Sequence, residues 1–272
     1  MSVQKRVRIG LIAGNGRFPI LFAESAKNHN VDIICVAVKQ ETSSSIKKIV
    51  DRIFWLNIAE YLKLVDIFKS EGITRVVMAG QINPLKLFSK TATENSQLSS
   101  FLSSLKDKRA DTVFGAIADL LQNNNINLQD SRMFLEDYIP KKGVLTSRQP
   151  TNSEKNDIEF GFNIAKTIGS VDIGQTVVIK NKVVVAVEAI EGSDRTIMRA
   201  GRIAGRGCII VKTNKPNQDM RFDIPLVGLK TIKNLIRIKA TCLAVEAEKT
   251  IILDKDSCVK MADKNSIAII AL

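Results

Sequence analysis

Short apolar runs alternate with helical patterns through the first half of the chain, and this alternation constrains the fold more than any other feature. The runs cover residues 7–13, 32–38, 52–56 and 75–79. Strands that alternate with helices are typical of βαβ units, in which the strands lie parallel and the helices cover the faces of the sheet. The first half therefore predicts a Rossmann-like α/β domain with a parallel sheet.

A glycine turn, GNGR at residues 14–17, joins the first predicted strand to the first predicted helix. Strand ends of a parallel sheet meet at one edge, so the turn at 80–83 is expected beside it, as one wall of a cleft. Backbone amides of such turns can bind phosphate at a helix N-terminus. A turn that only requires small residues is an equal alternative. The candidate substrate-binding residues are Gly14, Asn15, Gly16, Arg17, Gly80 and Gln81.

The βα alternation stops near residue 135, where prolines and a glycine interrupt the pattern. This predicts an N-terminal domain at 1–135 and a C-terminal domain at 136–272. The second half contains a long helical pattern, a hairpin around Asn181 and further strands and helices, which favours a mixed sheet. The predicted fold class is α/β, with two α/β domains.

Acids and bases come together near several turns between residues 183 and 228. A divalent metal prefers oxygen ligands, and phosphate oxygens accept charge-assisted hydrogen bonds, so this composition suits a metal and a phosphate group. A surface network of ion pairs is the alternative interpretation. The cluster consists of the carboxylates Glu188, Glu191, Asp194, Asp219 and Asp223 and the bases Arg199, Lys212, Lys215 and Arg221.

Two positions in this cluster favour chemistry. Asp223 lies between Phe222 and Ile224, and an apolar loop can fix a carboxylate as a metal ligand or general base, although the same loop suits a cap bonded to nearby amides. The turn at 192–194 presents backbone amides to an oxyanion, or it begins a helix with Ser193 or Asp194 as the N-cap.

Composition narrows the chemistry further. His29 is the only histidine, which removes the usual general base. Four cysteines without a CxxC pair predict buried free thiols in the cytosol. The net charge of +12 favours a phosphorylated substrate or an anionic membrane surface, whereas an aromatic content of 5% disfavours nucleic acid. No run approaches the roughly 18 apolar residues of a membrane span, so we expect a soluble chain.

Longer motifs extend over nearly the whole chain. They are, in order, GLIAGNGRFP, LKDKRADTVFGAIAD, GVLT near residue 145, AVEAIEGSD and VKTNKPNQDMRFDIPLVGLKTI. In these motifs the chain resembles the LpxI-type UDP-2,3-diacylglucosamine pyrophosphatases of lipid A biosynthesis. The resemblance implies magnesium-dependent hydrolysis of a diphosphate, with UMP and 2,3-diacylglucosamine 1-phosphate (lipid X) as products.

The resemblance also implies roles for individual residues and a place in the cell. Asp223 in the RFDIP motif would be the catalytic aspartate. The positions of the carboxylates, rather than the resemblance, make Asp223, Asp219 four residues earlier and Glu191 in the same block the expected ligands of Mg²⁺. A lipid-linked sugar nucleotide as substrate implies a cytoplasmic protein that is peripheral to the inner membrane. Whether the protein forms a homodimer is left open. The remaining candidate substrate-binding residues are Arg109, Gly192, Ser193, Asp194, Arg199, Lys212, Lys215 and Arg221.

Two other classes of function are alternatives. A nucleotide-binding oxidoreductase or a sugar-nucleotide transferase would use the glycine turn at 14–16 and would bind a dinucleotide tightly. A basic membrane-binding or nucleic-acid-binding module without chemistry would use the net charge, and its binding would depend steeply on salt while ignoring Asp223→Ala.

Overall fold

The computed structural model describes residues 6–82, 96–107 and 109–272. The chain divides into two compact units. The first unit contains residues 1–135 and 219–223, and the second contains residues 136–218 and 224–272. The segment 219–223, which the sequence analysis assigned to the C-terminal domain, thus groups with the N-terminal half.

The first unit is an α/β unit. Its strands are β1 Val7–Ala13, β2 Val31–Val38, β3 Arg52–Leu56, β4 Arg75–Ala79 and β5 Asn127–Leu128. Its helices are α1 Phe18–Asn28, α2 Lys63–Ser70, α3 Ser96–Ser104 and α4 Ala110–Gln122, with short 3-10 helices at Ser44–Lys48 and Ile58–Glu60. The strands form one sheet in the order β3-β2-β1-β4-β5 with every pair parallel. The predicted parallel sheet is confirmed.

Apolar side chains on one face of this sheet meet α2 and α4. Ile12 and Val76 of the sheet pack with Phe68 of α2 and Leu121 of α4, and all four are buried. Gly10 in β1 allows this approach, because a Cβ atom there would lie 2.6 Å from the Phe68 ring. Burying side chains of this size contributes about 1.5–3 kcal/mol each, so the strands and the two helices form one core.

The second unit is also α/β. Its strands are β6 Gly143–Val144, β7 Thr176–Lys180, β8 Val183–Val187, β9 Ile209–Lys212, β10 Leu226–Val227, β11 Cys242–Val245, β12 Ile251–Ile252 and β13 Ala268–Ala271. Its helices are α5 Asn152–Ser170, α6 Ser193–Ala204, α7 Leu229–Arg237 and α8 Lys255–Lys264, with a 3-10 helix at Glu136–Tyr138. The sequence analysis did not anticipate α8.

Six of these strands form a mixed sheet in the order β6-β13-β11-β9-β7-β8. The central strands β13, β11 and β9 are parallel, whereas β6, β7 and β8 pair antiparallel with their neighbours. The strands β10 and β12 form a separate parallel pair. The predicted mixed sheet of the second half is confirmed.

The hairpin expected around Asn181 joins β7 to β8. Asn181 and Lys182 form its two-residue turn, with φ angles of 51° and 57°. Two consecutive positive φ angles are typical of the type I′ turn, whose twist matches that of the flanking strands. The carboxylate of Asp157 in α5 accepts hydrogen bonds from both turn amides, at 2.8 and 2.7 Å, and thereby holds the hairpin on the helix.

All four cysteines are free and buried, as the sequence predicts. Burial raises the pKa of the Cys35, Cys242 and Cys258 thiols to about 12. Thiols with such values stay protonated at neutral pH and are poor nucleophiles. Cysteine chemistry therefore has no part in the site described below.

Candidate active site

The glycine turn after β1 and the turn after β4 lie against each other in the first unit. The amide of Gly14 donates to the Ala79 carbonyl at 2.8 Å, and the amide of Asn15 donates to the Gln81 carbonyl at 2.6 Å. The amide of Gln81 returns a hydrogen bond to the Asn15 carbonyl at 3.2 Å. The expected adjacency of the two turns is confirmed for these residues. Asn83, the last residue of the expected turn, lies outside the described residues.

These contacts explain why glycine is present at positions 14 and 80. A Cβ atom on Gly14 would lie 2.6 Å from the Gln81 carbonyl oxygen, and a Cβ atom on Gly80 would lie 2.6 Å from the Asn15 carbonyl oxygen. Gly80 also has a φ angle of 92°, which other residues rarely adopt. The amides of Gly14, Asn15 and Gln81 are engaged by protein carbonyls, so at these three positions the small-residue alternative is favoured over phosphate binding.

Gly16 and Arg17 complete the turn. Gly16 has a φ angle of 96°, and a Cβ atom there would meet no atom within 4 Å. Glycine is therefore required at this position by its backbone conformation rather than by crowding. The guanidinium of Arg17 forms a two-point ion pair with Glu24 in α1, at 3.1 and 2.8 Å. This pair holds a positive charge beside the turn.

The loop 219–223, which carries the predicted catalytic aspartate, is anchored within the first unit. The hydroxyl of Ser131 lies 2.6 Å from the Met78 carbonyl and 2.5 Å from the Arg221 carbonyl, and the Ser131 amide donates to the Met220 carbonyl at 3.0 Å. Ser131 is completely buried. One serine thus ties the loop to the end of β4.

The side chains of this loop have different environments. Phe222 packs on the apolar core, with its ring centroid 5.9 Å from that of Phe114 in α4. The carboxylate of Asp219 accepts hydrogen bonds from the Arg221 guanidinium at 2.7 to 3.1 Å and from the Arg221 amide at 3.0 Å. Asp223 is half-buried, its Oδ2 is shielded from solvent, and its amide donates to the Asp219 carbonyl at 2.9 Å.

The contact with Arg221 fixes the charge of Asp219. Burial raises the pKa of this carboxyl, but the hydrogen bonds from Arg221 outweigh burial, so the pKa lies below its usual range. Asp219 and Arg221 therefore form an ion pair within the loop.

A buried polar network occupies the start of α6 in the second unit. The Lys212 ammonium donates to the Ser193 hydroxyl at 2.9 Å, and this hydroxyl donates to Glu188 Oε1 at 3.0 Å. The hydroxyl of Thr176 lies 3.0 Å from the same oxygen of Ser193. Glu188 and Lys212 are each only 8% exposed. Because Lys212 donates and Glu188 accepts, the network holds two opposite charges in place around one hydroxyl.

This network corrects the expectation for the turn at 192–194. The N-cap of α6 is Gly192, with a φ angle of 79°, rather than Ser193 or Asp194. Ser193 is the first residue of the helix, and its hydroxyl is directed into the network instead of capping. Asp194 accepts hydrogen bonds from Lys230 and from Asn234 of α7, both at 2.9 Å.

A basic cleft of about 620 Å³ lies between α6 and α7. Glu191 and Asp194 line it, and both are paired with bases, since Arg199 contacts Glu191 at 2.5 Å and Lys230 contacts Asp194. The hydrogen bond from Arg199 is the main reason why the pKa of Glu191 lies below its usual range. The described bases that line the cleft are Arg195, Arg199, Arg202, Lys230 and Arg237.

Five bases against two acids make this cleft an anion site rather than a cation site. Arg195, Arg202, Lys230 and Arg237 were missed by the sequence analysis. The sequence contains a signal for Arg195 and Arg202. Together with Arg199 they follow the i, i+4, i+7 spacing of one helix face.

The remaining predicted substrate-binding residues form ion pairs with near neighbours. Arg109, just before α4, is exposed and donates to Asp107 at 3.0 and 2.9 Å. Its hydrogen bond holds the pKa of the Asp107 carboxyl below its usual range. Lys215 contacts Asp172 at 2.9 Å. These pairs leave the contribution of Arg109 and Lys215 to substrate binding as a prediction.

The three predicted metal ligands do not form a preformed site. Over the described residues, no group of three or more histidine, cysteine, aspartate or glutamate side chains is arranged to hold a metal ion. Glu191 is paired with Arg199 in the second unit, and Asp219 is paired with Arg221 in the first. Magnesium commonly takes one or two carboxylates and completes its shell with phosphate oxygens and water, so its binding by Asp223 stays a prediction.

Comparison with known proteins gives matches across the whole chain. The LpxI N-terminal domain family matches residues 8–138, and the LpxI C-terminal domain family matches residues 141–270. A curated relative, UDP-2,3-diacylglucosamine pyrophosphatase LpxI of Caulobacter vibrioides, is 24% identical over an alignment of 266 residues that covers 94% of this chain and 94% of the relative.

Solved structures give weaker likenesses. The biotin carboxylase subunit of a pyruvate carboxylase has a TM-score of 0.28 at 11% identity, and the match covers 73% of this chain but only 41% of the carboxylase. A glycinamide-RNase-transformylase T from Mycobacterium tuberculosis has a TM-score of 0.24 at 11% identity, covering 67% of this chain and 44% of that one. Scores this low support no statement about fold or function.

Proposed function

Because this chain belongs to the LpxI family, we propose that it hydrolyses the diphosphate of UDP-2,3-diacylglucosamine, giving UMP and 2,3-diacylglucosamine 1-phosphate in lipid A biosynthesis. The observation that carries the proposal is the match to a UDP-2,3-diacylglucosamine pyrophosphatase over 94% of both chains. The site chemistry supports it, since the described residues offer an oriented carboxylate and a strongly basic cleft.

Asp223 is the catalytic residue in this proposal. Its carboxylate accepts the proton of the attacking water, for which a half-buried aspartate held by its backbone is suited. The Asp219–Arg221 pair fixes the loop around it. Magnesium, held by Asp223 and the diphosphate oxygens, would neutralise phosphate charge and lower the pKa of a bound water.

The second unit, considered by itself, carries cationic side chains that favour an anionic ligand. Arg195, Arg202 and Arg237 give the α6–α7 cleft its excess positive charge. Lys212 holds a further charge at the start of α6, where the helix dipole also favours an anion.

The glycine turn gives no support to the oxidoreductase alternative. The amides of Gly14 and Asn15 in this turn, and that of Gln81 in the facing turn, donate to carbonyls of the protein itself, so they do not present a phosphate-binding surface. The other alternative is a basic binding module without catalytic activity. The activity test distinguishes it from a pyrophosphatase.

We also propose that the protein works in the cytoplasm, at the inner face of the inner membrane, where its substrate lies. No helix in the described part of the chain is long and apolar enough to cross a bilayer. The net charge of +12 supports peripheral attraction to anionic lipid.

The test is product analysis by mass spectrometry with purified protein and UDP-2,3-diacylglucosamine, with magnesium or with a chelator. We expect UMP and 2,3-diacylglucosamine 1-phosphate with magnesium, and Asp223→Asn should lower kcat by roughly 10²–10⁴-fold, because the substitution removes the proton acceptor. Water labelled with ¹⁸O shows which phosphorus is attacked, since the label appears in only one product.

The matched control is Asp66→Asn, an exposed aspartate on α2 that should keep wild-type activity. Folded wild-type protein that yields neither product would refute the pyrophosphatase proposal. Full activity of Asp223→Asn would instead make Asp223 structural.

A further inference from the structure

Two isoleucines at the two ends of α6 are exposed to solvent. Ile190, three residues before the helix begins, is 98% exposed, and Ile203, its next-to-last residue, is 64% exposed. Single exposed aliphatic side chains are common on soluble proteins and need no special explanation. These two differ because they flank a stripe of arginines on the same helix, so the surface combines apolar and cationic groups.

The arginines of α6 occupy one side of the helix. Arg195, Arg199 and Arg202 are exposed, and at 3.6 residues per turn they lie within about 60° of one another around the helix axis. Ile203 is four residues after Arg199 and therefore lies about 40° from it. The other side of the helix carries Ile197, which is completely buried in the core. The arginine stripe and Ile203 thus face solvent together.

Ile190 lies beside the same stripe. The Arg199 guanidinium donates hydrogen bonds to the Val187 carbonyl at 2.9 Å and to the Glu191 carboxylate at 2.5 Å. The Ala189 amide donates to the same carboxylate at 3.2 Å. These contacts hold the turn against the helix, so an almost fully exposed isoleucine is kept next to Arg199.

The positive charge of this surface is not balanced by its acids. Glu191 and Asp194 are paired with Arg199 and Lys230. Within the described part of the chain, no acid forms an ion pair with the other bases of the α6–α7 cleft, which are Arg195, Arg202 and Arg237. Guanidinium groups without a carboxylate partner favour phosphate, to which each can donate two hydrogen bonds.

The combination of charge and exposed aliphatic groups decides the class of partner. Nucleic acid would supply phosphate, but single-strand binding relies on aromatic side chains for stacking. The helices α6 and α7 and the turn before α6 contain no aromatic residue. An anionic phospholipid bilayer supplies phosphate at its surface and hydrocarbon beneath it, so a surface of bases with protruding aliphatic side chains complements it.

We propose that α6 and the turn before it bind an anionic phospholipid bilayer, with Ile190 and Ile203 inserted among the acyl chains and the arginines between them on lipid phosphates. The inference rests on the proposed peripheral location and adds the surface that makes the contact. The 12 residues of α6 extend about 18 Å, so the two isoleucines would enter the bilayer at separate points and restrict the orientation of the second unit on it.

The end of α5 offers a matched control on the other face of the same sheet. Val171 and Ile173, just after this helix, are 63% and 50% exposed. The helix α5 packs with Val177 of β7, whereas α6 packs with Val178, and successive residues of a strand point to opposite faces. Replacing Val171 and Ile173 therefore removes a similar amount of exposed apolar surface from a place outside the proposed contact.

The first experiment measures sedimentation of the full-length protein with vesicles of phosphatidylglycerol and phosphatidylcholine. We expect Ile190→Ser/Ile203→Ser to weaken the apparent Kd by roughly tenfold for each isoleucine, because the serines gain little from transfer into hydrocarbon. Val171→Ser/Ile173→Ser should bind within about twofold of wild type. Circular dichroism establishes that both variants are folded.

A second experiment locates the contact directly. An environment-sensitive fluorophore is attached to Ile190→Cys, with Val171→Cys as its control. The four native cysteines are buried, so the dye reacts with the introduced thiol. We expect vesicles that contain phosphatidylglycerol to shift the emission of the dye at position 190 to the blue and to leave the emission at position 171 unchanged.

The outcomes separate this inference from the proposed hydrolysis. Unchanged vesicle binding by Ile190→Ser/Ile203→Ser, or a dye at position 190 that stays in water while the protein sediments, would overturn the inference. Hydrolysis of UDP-2,3-diacylglucosamine in detergent micelles is measured in parallel, and this double variant should keep the wild-type rate. Wild type that hydrolyses the micellar substrate without binding vesicles would refute the membrane contact and leave the pyrophosphatase intact. Vesicle binding that depends on the isoleucines, without hydrolysis, would support the contact and refute the pyrophosphatase.

Discussion

A single hydroxyl, that of Ser193, joins two buried charges in the second unit. Its oxygen lies 2.9 Å from Lys212 Nζ and 3.0 Å from Glu188 Oε1. A buried charge that loses its partner costs several kcal/mol, because neither water nor a counter-charge compensates it. Glu188 is therefore the counter-charge of Lys212 at the start of α6.

Glu188→Gln should lower the free energy of unfolding by about 1–3 kcal/mol at neutral pH, since Lys212 then lacks its counter-charge. Adding Lys212→Met should recover part of this loss. Urea titrations of both single variants, the double variant and wild type, followed by circular dichroism, give the coupling energy. Strictly additive costs would show that the two charges do not interact.

A capping box starts α5, the longest helix of the second unit. The Thr151 hydroxyl accepts from the Glu154 amide at 3.2 Å, and Glu154 Oε2 accepts from the Thr151 amide at 2.8 Å. Arg148 donates to both carboxylate oxygens of Glu154, at 2.7 and 2.8 Å. Burial raises the pKa of Glu154, but these hydrogen bonds lower it by more, so the pKa lies below its usual range.

Because the folded pKa of Glu154 is depressed, its contribution is present above the unfolded value of about 4.3 and is lost as the pH falls through the folded value. Glu154→Gln should therefore lower the free energy of unfolding by about 1–3 kcal/mol at pH 7 and match wild type at strongly acidic pH. Unfolding titrations across this range provide the measurement, and the exposed Glu159→Gln on the same helix is the control. A difference that does not change with pH would contradict the assigned ion pair.

Elements with a strong periodic pattern could be predicted from the sequence, whereas contacts between distant residues could not. The strand β1 and the hairpin at Asn181 have clear local signals, but α8 has sparse apolar positions, with only Cys258 and Ala262 buried. The sequence predicts that Gly14 lies near Gln81. It does not show that the amides of both residues donate hydrogen bonds to carbonyls of the protein. The grouping of residues 219–223 with the first unit depends on Ser131, some 90 residues away, and no local pattern reports it.

At the scale of the whole molecule, charge is the property that bears on partners. The net charge is +12, and the bases of the α6–α7 cleft are exposed rather than buried. Near an anionic bilayer each exposed base contributes roughly 1 kcal/mol, an attraction that acts only within a Debye length. The proposed peripheral location therefore predicts an attachment that depends on charge.

We expect the protein to sediment with vesicles that contain phosphatidylglycerol at low salt and to dissociate as salt rises, because the Debye length shrinks from about 10 Å at 0.1 M to about 3 Å at 1 M. Vesicles of phosphatidylcholine are the control and should bind little protein. Equal binding to both kinds of vesicle, or no binding at low salt, would contradict peripheral attachment through charge.

The return of residues 219–223 to the first unit also restricts how the gene can be divided. The chain passes between the units at 135/136, at 218/219 and at 223/224. A gene fragment that stops at codon 135 would encode a first unit without Phe222 in its core and without the aspartate that the proposed chemistry requires. A chimera of two relatives joined at residue 135 would therefore combine the first unit of one protein with the 219–223 segment of the other.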